Sequence, residues 1–224
     1  MNNQKYDSNL WEQYTKDNEC NNFTDSQAKF IYYFIKKLGV KRICEIGCGT
    51  GNNLKYFSPK SDIHGIDLSR FALNKAIKKH NSFTFKIGDI DNIPYTDSFF
   101  DLIFTRCVLI HIPKDNMKKS LKELLRVSNK YIFNMEYFGE DGKMIHWKRG
   151  DNLLWYRNMN EWWSKFNVEI INDVELPLEI DGGMVKLTLI KKRSLENPKC
   201  TDFIKLGDGT EICAVCKYKK NWNP

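Results

Sequence analysis

Apolar residues along this chain follow two alternating spacings. Over residues 28–38 they recur at helical intervals behind a helix cap at Thr24 or Asp25, and this stretch predicts a helix that ends at Gly39. The next stretch, residues 40–46, is short and mainly apolar and predicts a buried strand. The ordered part of the chain is therefore expected to begin with a helix followed by a strand.

The same alternation continues to residue 135. Four further strands and three further helices are predicted, the strands at residues 63–67, 83–87, 99–105 and 130–135 and the helices at 52–57, 69–77 and 118–127. Strands that alternate with helices are typical of a parallel, doubly wound sheet. A helix at 158–165 and a closing pair of strands at 167–174 and 184–191 complete the pattern. We therefore predict an α/β fold with a Rossmann-like, doubly wound sheet of seven strands.

Two segments lie outside this pattern. Residues 1–23 are polar apart from a few aromatic side chains and predict an N-terminal arm or lid. Residues 194–224 contain two short apolar stretches on either side of a Gly-Asp-Gly turn and predict a hairpin extension. We expect residues 24–193 to form the main domain.

The composition of the chain indicates the class of protein and the cellular compartment to expect. A hydrophobic fraction of 42% over 224 residues is enough to form a core, and the chain shows neither a signal peptide nor a run that could span a bilayer, so we expect a cytoplasmic protein. The seven cysteines are odd in number and scattered, which favours reduced thiols, and Cys44 and Cys107 fall in apolar runs. The net charge of +7 comes from dispersed lysines, which favours a solvated surface while permitting an anionic partner.

The end of the first strand carries a distinctive turn. Glu45 precedes glycines at positions 47, 49 and 51, which allow the backbone to approach a nucleotide closely. Asn52 stands where the dinucleotide fingerprint has its third glycine, so a dinucleotide site is not indicated. By itself this spacing also suits a glycine-rich turn in another α/β protein.

Acidic residues follow the next two strands. Asp67 ends the second strand about twenty residues after the glycines, where a carboxylate can accept hydrogen bonds from ribose hydroxyls. Asp89 follows the third strand. Taken singly, either could be a loop carboxylate or a helix cap.

Taken together, these motifs resemble those of the class I S-adenosylmethionine (SAM) methyltransferases. The resemblance implies that SAM is the methyl donor and S-adenosylhomocysteine (SAH) the product, that Glu45 orients the turn and the methionine amino group, and that Asp89 meets the adenine amino group. The cofactor-binding residues that we predict are Trp11, Tyr14, Glu45, Gly47, Cys48, Gly49, Asn52, Asp67, Leu68, Asp89, Ile90, Arg106 and Cys107.

Residues 105–149 are similar to a narrower group, the methylases associated with the biosynthesis of pseudaminic acid and other surface polysaccharides. The similarity is carried by Val108-Leu109-Ile110-His111-Ile112, Glu123-Leu124-Leu125-Arg126-Val127-Ser128, Lys130-Tyr131-Ile132, Glu136-Tyr137-Phe138 and Trp147-Lys148-Arg149-Gly150, and the wider likeness extends from about residue 11 to 191. It implies a small acceptor such as a sugar, a nucleotide sugar or a phosphorylated precursor of capsule polysaccharide. The chain departs from the group at Arg106, where a small residue is usual, and in the tail from Leu195, which has no counterpart.

Three residues are candidates for catalysis. His111 follows the fourth strand and is a plausible general base, although it could instead pack under the adenosine or donate a hydrogen bond to a carbonyl. Glu136 and Tyr137 end the fifth strand next to the expected acceptor pocket, where Glu136 could be a base or could hold the acceptor. A salt bridge from Glu136 to Arg106 or Arg149 is the alternative.

Four residues are candidates for acceptor binding. Arg106 and Arg149 could bind a phosphate or carboxylate, since guanidinium groups suit such anions, and Trp147 and Trp155 could wall the pocket. For Lys148 and Arg157, solvated surface charge is favoured. The tryptophans could equally be core or rim residues.

Other functions remain as alternatives. An RNA or DNA methyltransferase is suggested by the net charge, but Thr105-Arg106-Cys107-Val108 occupies the place of the Asp/Asn-Pro-Pro-aromatic element of adenine enzymes. A non-catalytic SAM-binding partner protein is a further possibility. We predict no metal site, because the tail offers only Cys200, Cys213 and Cys216 as thiolate ligands whereas structural zinc needs four. The oligomeric state stays open.

Overall fold

The computed structural model describes residues 8–17, 24–181, 184–193, 203–205 and 211–213. The chain separates into two compact units, residues 1–192 and residues 193–224. Within the second unit, the strands Phe203–Lys205 and Glu211–Cys213 pair in antiparallel fashion, as expected for a hairpin. The side chains of Cys200, Cys213 and Cys216 lie outside the described residues.

The first unit is built on one seven-stranded sheet. Its strands are β1 Arg42–Ile46, β2 Asp62–Asp67, β3 Thr84–Ile87, β4 Phe100–Arg106, β5 Ser128–Tyr137, β6 Val168–Glu175 and β7 Val185–Lys192. Their order across the sheet is β3-β2-β1-β4-β5-β7-β6. The first five are parallel, and β7 runs antiparallel between β5 and β6. This arrangement confirms the predicted doubly wound fold with an antiparallel end.

Helices connect these strands. They are α1 Ser8–Lys16, α2 Asp25–Lys37, α3 Arg70–Lys79, α4 Lys114–Val127, α5 Met159–Trp163 and α6 Leu178–Asp181, with 3-10 turns at Asn52–Leu54 and Leu109–His111. Thr24 is the N-cap of α2 and forms a capping box with Gln27, and Ser69 caps α3 as predicted.

Two helix predictions were wrong in their extent. The segment 52–57 forms only a single 3-10 turn, because Gly51 precedes it in a left-handed conformation and no side chain caps it. The helix predicted from residue 118 begins at Lys114, directly after Pro113. Its first turn is mainly polar, so the apolar spacing did not reveal it.

The core lies on both faces of the sheet. Because successive side chains of a strand point to opposite faces, Cys44 of β1 packs on the face covered by α4, whereas Ile43 packs on the face covered by α2. Cys44 and Cys48 are buried free thiols. Cys107 lies just beyond β4 rather than within it, with a positive φ of 54°. Among the described residues, no helix combines the length and the apolar composition needed to cross a bilayer.

Candidate active site

Two glycines of the turn after β1 have different structural roles. Gly47 and Gly49 adopt positive φ angles of 70° and 51°. A Cβ atom on Gly47 would overlap Cγ2 of Val108, whereas a Cβ atom on Gly49 would meet no atom within 4 Å. The backbone N–H of Gly47 donates to the carbonyl of Ile66 in β2 at 2.7 Å. Gly47 thus serves internal packing, and Gly49 faces open space.

Asp67, the last residue of β2, is fixed by backbone donors. Its Oδ2 accepts a hydrogen bond from Gly49 N and its Oδ1 accepts one from Ser69 N, both at 2.8 Å. Burial raises the pKa of Asp67, and these N–H groups oppose that effect. Because each carboxylate oxygen can accept two hydrogen bonds, Asp67 retains capacity for ligand hydroxyls.

Glu45 lies behind the turn and is fully buried. Its Oε1 accepts a hydrogen bond from Asn53 Nδ2 at 2.5 Å, and its Oε2 has no hydrogen-bond partner among the described residues. Burial raises the pKa of Glu45 to about 8, and the charge of Arg106 acts in the opposite direction. The sidechain is therefore a buried acid with one acceptor oxygen unused.

A cavity of about 760 Å³ opens above this turn. The final residues of four parallel strands line it: Ile46 of β1, Asp67 of β2, Arg106 of β4 and Tyr137 of β5. Ligands of open α/β sheets bind at this edge, and the volume is within the range of roughly 300–1,000 Å³ for small-molecule sites. We take this cavity as the candidate active site.

Most of the predicted site residues line the cavity. They are Trp11, Tyr14, Gly47, Cys48, Gly49, Asn52, Asp67, Leu68, Ile90, Arg106, Cys107, His111, Tyr137 and Trp147. Lys148, for which solvated surface charge was favoured, also lines it, and the residues that the sequence did not single out are Thr15, Ile46, Thr50, Asn53, Gly88, Val108, Ile110, Ile112 and Leu154. Several of these residues are sequence neighbours of predicted site residues in the same turns, and that adjacency could have identified them. Leu154 gave no such signal.

The N-terminal helix covers part of the cavity. The ring of Trp11 lies 4.8 Å from that of His111 and 6.0 Å from that of Trp147, and Tyr14 lies 5.8 Å from Trp147, all measured between ring centroids. These contacts place α1 against the rim of the cavity, and its role as a lid stays a prediction.

Arg149 is not among the lining residues. Its Nη2 forms an ion pair with Asp17 Oδ2 at 2.5 Å, and its guanidinium lies over the ring of Tyr14. Hydrogen bonding by Arg149 lowers the pKa of Asp17. The prediction that Arg149 binds the acceptor is corrected accordingly, because in this structure the residue fastens the end of α1.

His111 is held in one tautomer. Its Nδ1 lies 2.7 Å from the carbonyl oxygen of Leu153. Because a carbonyl only accepts, Nδ1 carries the proton and Nε2 carries the lone pair. Burial, aided by the charge of Arg157, lowers the pKa of His111 to about 4. The ring is therefore neutral at neutral pH.

Glu136 lies beneath the cavity rather than in it. The sidechain is 1% exposed and accepts hydrogen bonds from the Thr105 hydroxyl at 2.7 Å and from Ile110 N at 3.3 Å. Burial raises its pKa to about 7. Neither the predicted base role nor the alternative salt bridge to Arg106 or Arg149 agrees with this placement.

Two other predictions change with the structure. Arg157 was expected on the surface and is 1% exposed, with its guanidinium bonded to backbone carbonyls. Trp155 does not line the cavity, and its backbone N–H donates to Ile110 O at 2.9 Å. Asp89 also lies outside the lining and accepts a hydrogen bond from Asp91 N, so its contact with adenine stays a prediction.

Within the described part of the chain, no group of three or more His, Cys, Asp or Glu side chains is arranged to hold a metal ion.

The segment that forms much of this site is similar to a known protein family. Residues 43–130 match the family model described as a methyltransferase domain. This segment is similar in sequence to methyltransferase domains. It contains most of β1 to β4, the glycine turn and the acidic residues Glu45, Asp67 and Asp89. The methyl donor that such a domain uses is SAM.

Two curated relatives match part of the chain. Phosphoethanolamine N-methyltransferase 1 of Arabidopsis thaliana is 36% identical over 88 residues, which cover 35% of this chain and 18% of that protein. Malonyl-[acyl-carrier protein] O-methyltransferase of Pectobacterium atrosepticum is 28% identical over 88 residues, or 39% of this chain and 34% of that protein. The matched segment thus spans about a third or less of either relative.

The likeness of fold extends further along the chain. The crystal structure of magnesium protoporphyrin IX methyltransferase from Synechocystis, which contains bound SAH, superposes with a TM-score of 0.63. The two chains are 13% identical, and the match covers 83% of this chain and all of that one. The methyltransferase fold therefore includes the antiparallel end of the sheet.

The residues of the cavity fit SAM. The open space at Gly49 admits a ligand against the backbone, and Asp67 is presented at the end of β2 with acceptor capacity for ribose. Glu45 is not among the lining residues, so its predicted contact with the methionine amino group stays a prediction. When bound, SAM supplies an electrophilic methyl group on a sulfonium.

Proposed function

We propose that the chain transfers the methyl group of SAM to an oxygen or nitrogen of a small anionic acceptor. The observation that carries the proposal is that neutral His111 and the cations Arg106 and Lys148 line the same cavity as Gly49 and Asp67. The cavity thereby combines a donor site, a proton acceptor and positive charge for an anionic group.

His111 acts on the proton that the acceptor loses. With a pKa of about 4, the imidazole does not ionise a free hydroxyl in advance. As the acceptor atom forms its bond to the methyl group it becomes strongly acidic, and Nε2 then takes its proton. The hydrogen bond from Nδ1 to Leu153 O keeps the lone pair on Nε2 and helps to stabilise the imidazolium. The Tyr137 hydroxyl offers a second polar contact at the end of β5.

Arg106 and Lys148 account for the anionic part of the acceptor. A guanidinium group can bind a phosphate or carboxylate through two parallel hydrogen bonds, and a lysine adds a mobile charge. The names of the two relatives agree with such an acceptor, since one acts on phosphoethanolamine and the other on a malonyl group. The finer version of the proposal is a sugar, nucleotide sugar or phosphorylated precursor of a surface polysaccharide, as the sequence resemblance implies.

The test is a transfer assay with SAM labelled in its methyl group. The panel contains phosphoethanolamine, sugar phosphates, nucleotide sugars and bulk RNA and DNA. We expect transfer to a phosphorylated small molecule, with the substitution Lys148→Met raising the KM for that acceptor several-fold. Lys143→Met is the matched control, because Lys143 is an exposed lysine of the same segment that pairs with Glu140 and does not line the cavity.

Two outcomes would contradict the proposal. Preferred methylation of RNA or DNA would show that the acceptor is a nucleic acid. Tight binding of SAH without transfer to any compound of the panel would favour a non-catalytic SAM-binding protein, since a fold and its cofactor site do not by themselves fix an activity.

A further inference from the structure

His111 stands on a single 3-10 turn between β4 and α4. The turn comprises Leu109–His111, and no side chain of its own sequence caps its start at Val108. Both ends of such a turn present backbone groups that need partners from elsewhere in the fold. Those partners decide where the imidazole of His111 is held.

Glu136 supplies the partner at the N–H end. Its Oε2 accepts from Ile110 N at 3.3 Å, and the N–H groups of Val108 and Leu109 also face this carboxyl. Its Oε1 accepts from the hydroxyl of Thr105 at 2.7 Å. Negative charge is favourable at this end of a helical turn.

The carboxyl of Glu136 is itself held by a buried chain of hydrogen bonds. Asn134 Nδ2 donates to Thr105 Oγ1 at 2.8 Å, and Trp163 Nε1 donates to Asn134 Oδ1 at 2.7 Å. All four side chains are nearly or completely buried. The anchor of the turn is therefore connected to α5 and the core.

Arg157 supplies the partner at the carbonyl end. Its Nε donates to Leu109 O at 3.1 Å, and its Nη2 donates to Ile112 O. A guanidinium can reach both carbonyls at once because its donors lie in one plane. The backbone of the same segment adds two bonds, from Trp155 N to Ile110 O and from His111 Nδ1 to Leu153 O.

We propose that Glu136 and Arg157 are a pair of positioning residues that hold the two ends of the His111 turn through buried hydrogen bonds and so keep Nε2 of His111 available to the acceptor. The inference rests on the proposed function, in which His111 receives the proton. It replaces the base role considered for Glu136 and the surface role considered for Arg157. The positive charge of Arg157 at the carbonyl end matches the dipole of the turn, and the Glu136 oxygens accept hydrogen bonds at its N–H end.

The test reads the ring of His111 directly. The chain has four histidines, so side-chain ¹⁵N NMR on histidine-labelled protein gives few signals, and His111→Asn assigns the relevant one. In the wild type we expect the tautomer protonated on Nδ1. In Glu136→Gln and Arg157→Met we expect a mixture of tautomers, and in Arg157→Met also a His111 pKa that moves upward, because the charge of Arg157 contributes to lowering it.

Kinetics give a second readout. If the pair positions His111, kcat falls at least about tenfold in both variants while the SAH dissociation constant changes less than about twofold. The loss in the double variant should be smaller than the product of the two single losses, because both charges are removed together. Ser120→Ala is the control for loss of a buried hydrogen bond elsewhere, since Ser120 donates to Asp91 within the fold.

The outcomes separate this inference from the proposed function. An unchanged His111 tautomer in folded variants overturns the positioning role, whatever the activity. Wild-type protein that binds SAH but transfers no methyl group overturns the proposed function, and the NMR result then still decides the positioning. If Arg157→Met does not fold, Arg157→Lys and Thr105→Val weaken the same two anchors more mildly, and the same tautomer shift is expected.

Discussion

Alanine substitutions at three glycines separate backbone strain, internal packing and cofactor contact. Gly47, Gly49 and Gly142 have positive φ angles of 70°, 51° and 81°. An L-residue in the left-handed region costs about 1–2 kcal/mol. A Cβ atom on Gly49 or Gly142 meets nothing within 4 Å, whereas one on Gly47 overlaps Val108.

These contacts set the expected magnitudes. Gly142→Ala and Gly49→Ala should each lower the free energy of unfolding by about 1–2 kcal/mol, from backbone strain alone. Gly47→Ala should lower it by about 2–5 kcal/mol, because overpacking against Val108 adds about 1–3 kcal/mol. The measurement is urea denaturation of the ligand-free protein, with midpoints compared at constant m-value.

Cofactor binding then distinguishes Gly49 from its control. The new methyl group of Gly49→Ala would stand in the cavity, and we expect SAH affinity to fall at least about tenfold, or about 1.4 kcal/mol. Gly142→Ala carries similar strain outside the cavity and should bind SAH as the wild type does. Titration calorimetry measures both. Equal SAH affinities of these two variants would refute the assignment of the Gly49 side of the cavity to the cofactor.

Three further predictions follow from the same site. Asp67→Ala should abolish measurable SAH binding, because it removes both the ribose acceptor and the hydrogen bond to Gly49 N; calorimetry on protein with an unchanged circular dichroism spectrum checks this. As the pH falls from 6.5 to about 4, wild-type protein should lose stability relative to His111→Gln, by at most about 3 kcal/mol. The reason is that the unfolded chain binds a proton on His111 that the folded protein excludes. Denaturation midpoints measured across this pH range give the difference. Arg157→Met should cost about 1–3 kcal/mol of stability by removing the side-chain donor of the buried Ile112 carbonyl, whereas Lys148→Met should cost less than about 0.5 kcal/mol, both by urea denaturation.

The donor side of the site could be predicted from the sequence because its geometry is local. Glu45, Gly49 and Asp67 each lie at the carboxyl end of a strand or in the turn that follows it. In a parallel sheet those ends meet at one edge, so the apolar pattern alone brings the motifs together. The two helix boundaries that were misplaced do not disturb this edge.

The acceptor side could not be predicted in the same way. Residues 138–157 are largely without regular structure, and no periodicity shows which of their side chains are buried. Arg149 and Arg157 have the same chemistry in the sequence, yet one pairs with Asp17 of the arm and the other with the carbonyls of the His111 turn. Their burial is decided by partners distant in the chain, which a local pattern does not contain.

This division of the site bears on how the acceptor is selected. The methyltransferase domain match ends at residue 130, whereas Trp11, Tyr137, Trp147 and Lys148, which line the cavity, lie outside it. The segment that matches the family model therefore supplies the glycine turn and Asp67, and α1 with the segment after β5 supplies other walls of the cavity. Because the Leu153 carbonyl of that later segment also accepts a hydrogen bond from His111 Nδ1, substitutions there that change acceptor specificity should also change the orientation of the His111 ring.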